Sequence, residues 1–341
     1  MEITRELIKR LPKAELHVHL DGCLRPQTMI ELAPQFGVSL PADDAESLAE
    51  AMCVRHAKSL EEYLEGFEIT LSVMQSWDAM ERIAYEFVID AAADNTRYVE
   101  VRYCPALHTP SLSLTQAIEA PLEGIRRAQA ETDTNVGIII SGLRTLPPAV
   151  SLDLAKVAVD YRTEGVVAFD LAGAEFGHPA KEHAEAFEYA LTNGLALTCH
   201  AGEGWGPDSV WQALNDCGAQ RIGHGTRVQE DPKLESYVRA NEIPLEVCLT
   251  SNVHTNAVPN VASHPLRHYF DEGCVVTVNT DNRLMDNITL TDEYWTAHQN
   301  LGFTRQEIDQ LILNSFRSAF LPDAPKAALV ARIEKELEEI A

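Results

Sequence analysis

The stretch PAKEHAEAFEYALTNGLALTCHAGEG, residues 179–204, holds one complete unit of the pattern that organises the chain. Its first sixteen residues have helical character and stop at Gly194, a residue suited to the left-handed turn that ends a helix. The run LALTCHAG (195–202) is short and apolar, the mark of a strand buried on both faces. His200 closes that strand and Glu203 follows in a glycine-flanked turn. A helix therefore feeds a strand whose far end carries the polar groups.

The same unit extends in both directions. AELHVHL (14–20), RYVEVRYC (97–104), VGIIISGL (136–143), VVAFDLAG (166–173), RIGHG (221–225), IPLEVCLT (243–250) and VVTVNTD (275–281) are further strand candidates. Helical segments such as SLTQAIEAPLEGIRRAQAETD, before the third strand, separate them. The alternation predicts an α/β fold with a parallel sheet, and a count of eight strands favours an eight-stranded parallel β/α (TIM-type) barrel. The interval 24–94 is far too long for one crossover and predicts a helical insertion after the first strand. Tyr63, Phe67, Leu71 and Met74 fall there at helical spacing, either packing on the barrel or forming a lid over it. TRQEIDQLILNSFRSAF and APKAALVARIEKELEEIA predict C-terminal helices. With no linker or low-complexity segment, residues 1–341 are expected to form a single domain.

Composition narrows the partners. The 27 basic and 52 acidic side chains give a formal net charge of −25, which repels a phosphate backbone or an anionic membrane surface. Neither nucleic acid nor membrane is an expected partner. The seven cysteines include no C-x-x-C pair and sit mostly in apolar runs, as buried thiols of a reducing compartment do. The N-terminal sequence lacks a signal-peptide core, and no run approaches the roughly 18 apolar residues of a membrane span. The expected location is the cytoplasm.

Alternate residues of a strand share a face, so His17 and His19 project together. Active sites of such barrels gather at the C-terminal ends of the strands. His200 and Glu203 lie at the end of the fifth strand, His224 of the sixth, Asp281 and Asn282 of the eighth. Three imidazoles and a carboxylate (His17, His19, His200, Asp281) suit Zn²⁺ better than the oxygen-seeking Ca²⁺ or Mg²⁺. Such an ion would lower the pKa of water to roughly 7. His224 is then expected to orient the attacking water and take its proton, with Glu203 donating one to the substrate.

The motifs ELHVHLDG, YVEVRY, FDLAGAE, HAGE, RIGHG, TSN and VNTDN, in this order, closely resemble those of the adenosine deaminase family within the amidohydrolase superfamily. The likeness runs over about residues 10 to 320. It implies a β/α barrel with one zinc ion that hydrolyses the 6-amino group of a purine nucleoside such as adenosine or 2′-deoxyadenosine, a purine-salvage reaction releasing ammonia. It also implies metal ligands at His17, His19, His200 and Asp281, proton donation from Glu203 to purine N1, and assistance to the nucleophile from His224. Substrate contacts are implied at His19, at Asp21 (a sugar hydroxyl), at the Gly173 N–H (purine N3) and at Asn282 (N7). One departure stands out: where many members carry two consecutive aspartates, this chain has Asp281 and Asn282. An amide can donate to N7 directly. Asp21 would repel a 5′-phosphate, so a nucleoside is expected over a nucleotide. The alternatives are deamination of adenine or of a 5′-modified adenosine such as an aminodeoxyfutalosine, or a barrel that binds ligand without turnover.

Overall fold

The computed structural model describes residues 3–55 and 57–340. Its eight strands are β1 (Lys13–His19), β2 (Thr96–Tyr103), β3 (Asn135–Leu143), β4 (Val166–Ala172), β5 (Ala196–Ala201), β6 (Arg221–His224), β7 (Leu245–Val247) and β8 (Val276–Val278). They follow chain order around one sheet, and every neighbouring pair is parallel. The ring closes where the His19 N–H donates to the Asp281 carbonyl (2.7 Å) and the Asp281 N–H donates to that of His17 (3.0 Å). Closure is thus made by three residues that the sequence marks as metal ligands.

Ala14, Leu16 and Val18 of β1 are fully buried beneath the surrounding helices, and the equivalent residues of the other strands join them in one continuous core. Each such Leu or Val contributes roughly 1.5–3 kcal/mol when buried. The helices Arg305–Ser318 and Asp323–Glu339 complete the shell, the first of them packing on β8 and β1. Thr304 caps the first through a reciprocal bond with Glu307.

Two sequence expectations change. The apolar runs 243–250 and 275–281 give strands of only three residues each. Beyond Val247 the chain turns at Cys248 into the helix Leu249–His254, so CLT belongs mostly to a helix start. The expected helix through Tyr63–Met74 breaks at Gly66 into Leu60–Leu64 and Phe67–Ser72. With Pro26–Phe36, Ala45–Met52 and Trp77–Ala93, these pieces make up the insertion after β1.

The N-terminal mouth of the barrel is charged yet closed. Arg221 donates to Glu100 (2.5 Å), to Glu246 (2.6 Å) and to the Ser318 carbonyl (2.8 Å), and its guanidinium lies 3.6 Å from the centre of the Phe320 ring. Glu100 also accepts from the Tyr98 hydroxyl and the Phe320 N–H. Lys13 points its ammonium at the carbonyls of Ile8, Lys9 and Leu11.

Candidate active site

At the opposite mouth, His17, His19, His200 and Asp281 place one ligand atom each within 4.8 Å of one another. His17 donates from Nδ1 to Glu246 (2.8 Å), which leaves its Nε2 as a lone pair. That Nε2 is buried, has no hydrogen-bond partner among the described residues and lies 3.4 Å from Asp281 Oδ1. His200 likewise donates from Nδ1 to Asp170 (3.1 Å). Its Nε2 faces that of His19 at 3.1 Å, and His19 Nε2 lies 3.3 Å from the same Asp281 oxygen. Imidazole nitrogens turned on a common carboxylate, two of them with their protons committed elsewhere, suit a divalent cation with nitrogen preference. A second grouping, His17, His224, Cys248 and Asp281, is also close enough. Burial, then Asp281 and other carboxylates, push the Cys248 thiol well up, so it keeps its proton and is the poorer donor.

Backbone geometry aims these groups. His224 and Asp281 adopt left-handed conformations, φ 61° and 64°, which cost non-glycine residues of order 1–3 kcal/mol and concentrate at functional sites. Gly223 lets the chain pass close, since a Cβ there would lie 3.0 Å from the His17 ring and from the backbone of His200, tighter than ordinary contact. Gly22 is the more constrained, because its Cβ would meet Asn282 Oδ1 at 2.0 Å.

Glu203 is buried beside the cluster, with Oε2 3.4 Å from His224 Nε2. Burial, then the charges of Asp281 and Glu175, raise its pKa well above the ordinary carboxylate range, a shift that favours the protonated acid. His224 is pushed the other way, held neutral by burial and then by His17. Asp21 is raised to about 7 by burial, and its Oδ1 has no partner among the described residues.

A cavity of about 400 Å³ opens over this floor. His19, Asp21, Gly173, His200, Glu203, His224, Asp281 and Asn282 all line it, whereas His17 lies behind them, fully buried. Tyr63, Phe67 and Leu71 of the insertion form one wall, while Met74 turns instead into the core. Among the described residues no lysine or arginine lines the cavity, although Asp21 and Glu68 do.

Sequence reasoning missed the residues that hold these groups in place. Arg102 lies between Glu246 (2.8 Å) and Asp170 (3.5 Å), one guanidinium serving the partners of two different histidines. Burial alone would raise the Asp170 pKa, but His200 and Arg102 outweigh it and hold the carboxylate low. Glu175 accepts from the four consecutive N–H groups of residues 202–205, fixing the turn that carries Glu203. The helix Leu249–His254 supplies Ser251 to Asp281 (2.6 Å) and Asn252 to His224 (3.0 Å). A charged residue inside an apolar strand was the available signal for Arg102, Asp170 and Glu246. For Ser251 and Asn252 the signal was the TSN motif (250–252), to which the sequence attached no role.

The adenosine deaminase family model matches residues 12–336. The chain belongs to the adenosine deaminase family. It is 41% identical to an adenosine deaminase of Mycolicibacterium gilvum, the match covering 98% of this chain and 97% of that protein. It is 42% identical to a probable adenosine deaminase of Dictyostelium discoideum, covering 94% of this chain but only 42% of that longer protein. Among solved structures, an adenine deaminase from Arthrobacter aurescens superposes with a TM-score of 0.89 at 27% identity, covering 96% of this chain and 99% of the other. An amidohydrolase from Burkholderia ambifaria with bound Zn also gives 0.89, at 25% identity, covering 100% and 95%. Among the described residues no helix is long and apolar enough to cross a membrane.

Proposed function

We propose that the chain is a zinc-dependent adenosine deaminase of purine salvage, a cytoplasmic enzyme that converts adenosine and 2′-deoxyadenosine to the 6-oxo nucleosides and ammonia. The observation that carries this reading is the set of four ligand atoms within 4.8 Å, beside the buried Glu203, on the floor of a nucleoside-sized cavity. His17, His19, His200 and Asp281 would hold one Zn²⁺ per chain, and the bound zinc of the Burkholderia relative supports that identity. When bound, the ion supplies the Lewis acidity that makes water nucleophilic at neutral pH.

The chain's own groups do the rest. Glu203 donates its proton to purine N1 as water attacks C6, and His224 holds the attacking water in line. The C6–N bond then breaks and the amino group leaves as ammonia. Asp21 takes a sugar hydroxyl, the Gly173 N–H takes N3 and Asn282 donates to N7, with residues 24–94 forming a lid within a single catalytic domain. A 5′-phosphate would meet Asp21 and Glu68 and no lining cation, which favours nucleosides over nucleotides.

The test is the ultraviolet change on deamination across adenosine, 2′-deoxyadenosine, adenine, a 5′-modified adenosine and AMP, with and without chelator. The two nucleosides should react at least ~10²-fold faster than adenine or AMP. Chelation should abolish the activity and Zn²⁺ restore it. Full activity in metal-free protein would sink the mechanism, and faster turnover of adenine would hand the function to the alternative substrate.

A further inference from the structure

His224 has two ring nitrogens, and the structure determines which of them carries the proton. The backbone N–H of Leu266 can only donate. It donates to His264 Nδ1 (3.0 Å). His264 Nδ1 is therefore bare and its proton sits on Nε2. Burial pushes the His264 pKa down to about 3, so the ring is neutral across the physiological range. His264 Nε2 lies 3.1 Å from the side-chain oxygen of Asn252, which must accept. The amide nitrogen of Asn252 is then turned to His224 Nδ1 at 3.0 Å and must donate. His224 Nδ1 is the acceptor at the end of the chain, which leaves its proton on Nε2, the nitrogen that faces Glu203.

We infer that Asn252 and His264 are positioning residues that lock His224 as the Nε2–H tautomer, so that His224 donates a hydrogen bond to the oxygen of the attacking water and does not take its proton. The relay is buried throughout: Asn252 is fully inaccessible, and His224 and His264 are 1% and 3% exposed. No solvent competes for the amide, and reversing it would set its N–H₂ against the Nε2–H of His264, leaving two buried donors unsatisfied at about 1–3 kcal/mol each. The backbone N–H at the start of the helix Leu266–Asp271 thereby sets a protonation site two side chains away.

This inference rests on the assignment of His224 to the water side of the proposed deaminase site, and it alters the role expected from sequence. With His224 a donor, Glu203 closes the proton balance. Having protonated N1, its carboxylate takes one hydrogen from water and is restored as the acid; the other hydrogen of water goes to the departing amino group. C6–O forms, C6–N breaks, and the products are the N1-protonated 6-oxo purine and ammonia.

The decisive measurement is the ¹⁵N ring spectrum of histidine-labelled wild-type protein, recorded with and without Zn²⁺. His224 and His264 should each show a bare Nδ1 and a protonated Nε2. In Asn252→Asp the new carboxylate accepts at both ends, so His224 should move its proton to Nδ1 and kcat should fall about 10²-fold with KM and zinc content little changed. A wild-type His224 carrying its proton on Nδ1 overturns the relay whatever the protein deaminates, and so does an Asn252→Asp enzyme with the moved proton and an unchanged kcat. The expected spectrum in a protein inert toward every 6-aminopurine leaves the relay standing and removes the deaminase reading instead. Because the wild-type spectrum decides the tautomer, a failure of the variant to fold does not rescue the idea.

Discussion

Both mouths of this barrel bury ionisable side chains and treat them in opposite ways. At the N-terminal mouth the three guanidinium nitrogens of Arg221, both oxygens of Glu100 and the Lys13 ammonium find partners within the chain. At the C-terminal mouth His17 Nε2, Asp21 Oδ1, Asn282 Oδ1 and Tyr63 Oη are buried with none among the described residues. An unpaired buried polar group costs free energy that folding alone has no reason to accept. The closed mouth therefore accounts for itself as structure, while the open one makes sense as a surface completed by something bound. The left-handed conformations of His224 and Asp281 fall on the open side too.

The largest effect that tests this contrast belongs to the open mouth. Glu203→Gln keeps the shape of the side chain and removes the proton that the proposed mechanism has it donate. kcat should fall ~10²–10⁴-fold while zinc content and melting temperature hold. Steady-state rates beside metal analysis on the same preparation check this, and a near-normal rate would mean that another group is the acid.

At the closed mouth the same kind of change should act on stability instead. Arg221→Met leaves Glu100 and Glu246 buried and each short of a donor, a loss of about 3–5 kcal/mol for a broken buried pair. Denaturant unfolding with zinc held constant reads it. Glu246 keeps His17 and Arg102, so the folded fraction should retain its metal and its kcat per site. If Arg221→Met instead lowered kcat as far as Glu203→Gln, the division between a structural and a chemical mouth would fail.

How much of this could be read along the chain follows from how local each signal is. All eight strands were legible because each is a contiguous apolar run between helical segments. The ends of β7 and β8 were not, since CLT is apolar whether it continues a strand or opens a helix, and periodicity cannot separate the two over so few residues. His17, His19, His200 and Asp281 stood out because strand ends and short motifs mark them. The groups that orient them depend on contacts across the barrel: Glu246 meets His17 from 229 residues away. Of the relay from His264 through Asn252 to His224, the motifs RIGHG and TSN mark two members, but a histidine in a loop is ordinary until the fold places His264 3.1 Å from Asn252.

The smallest expected effect lies at Asn282, where the open mouth departs from the family's paired aspartates. The side chain is 2% exposed and sits against Gly22, close to three acids, Asp21, Asp281 and Asp286. Burial raises Asp21 to about 7, while burial and then Asp281 lift Asp286 well above the carboxylate range. An aspartate placed among them would feel the same desolvation and repulsion and would hold a proton near neutrality. Protonated, it can donate to N7 as proposed for the amide; ionised, it would turn a lone pair on a lone pair. Asn282→Asp should therefore match wild type at low pH and lose affinity as pH rises through the raised pKa of the new carboxyl, whereas the amide of wild type has no such transition. The loss is that of one hydrogen bond, about 1–3 kcal/mol, or roughly 5- to 150-fold in KM. KM for adenosine against pH in both proteins, with adenine and a 5′-modified adenosine beside it, measures the effect. Parallel profiles and an unchanged substrate ranking would show that Asn282 does not touch the purine.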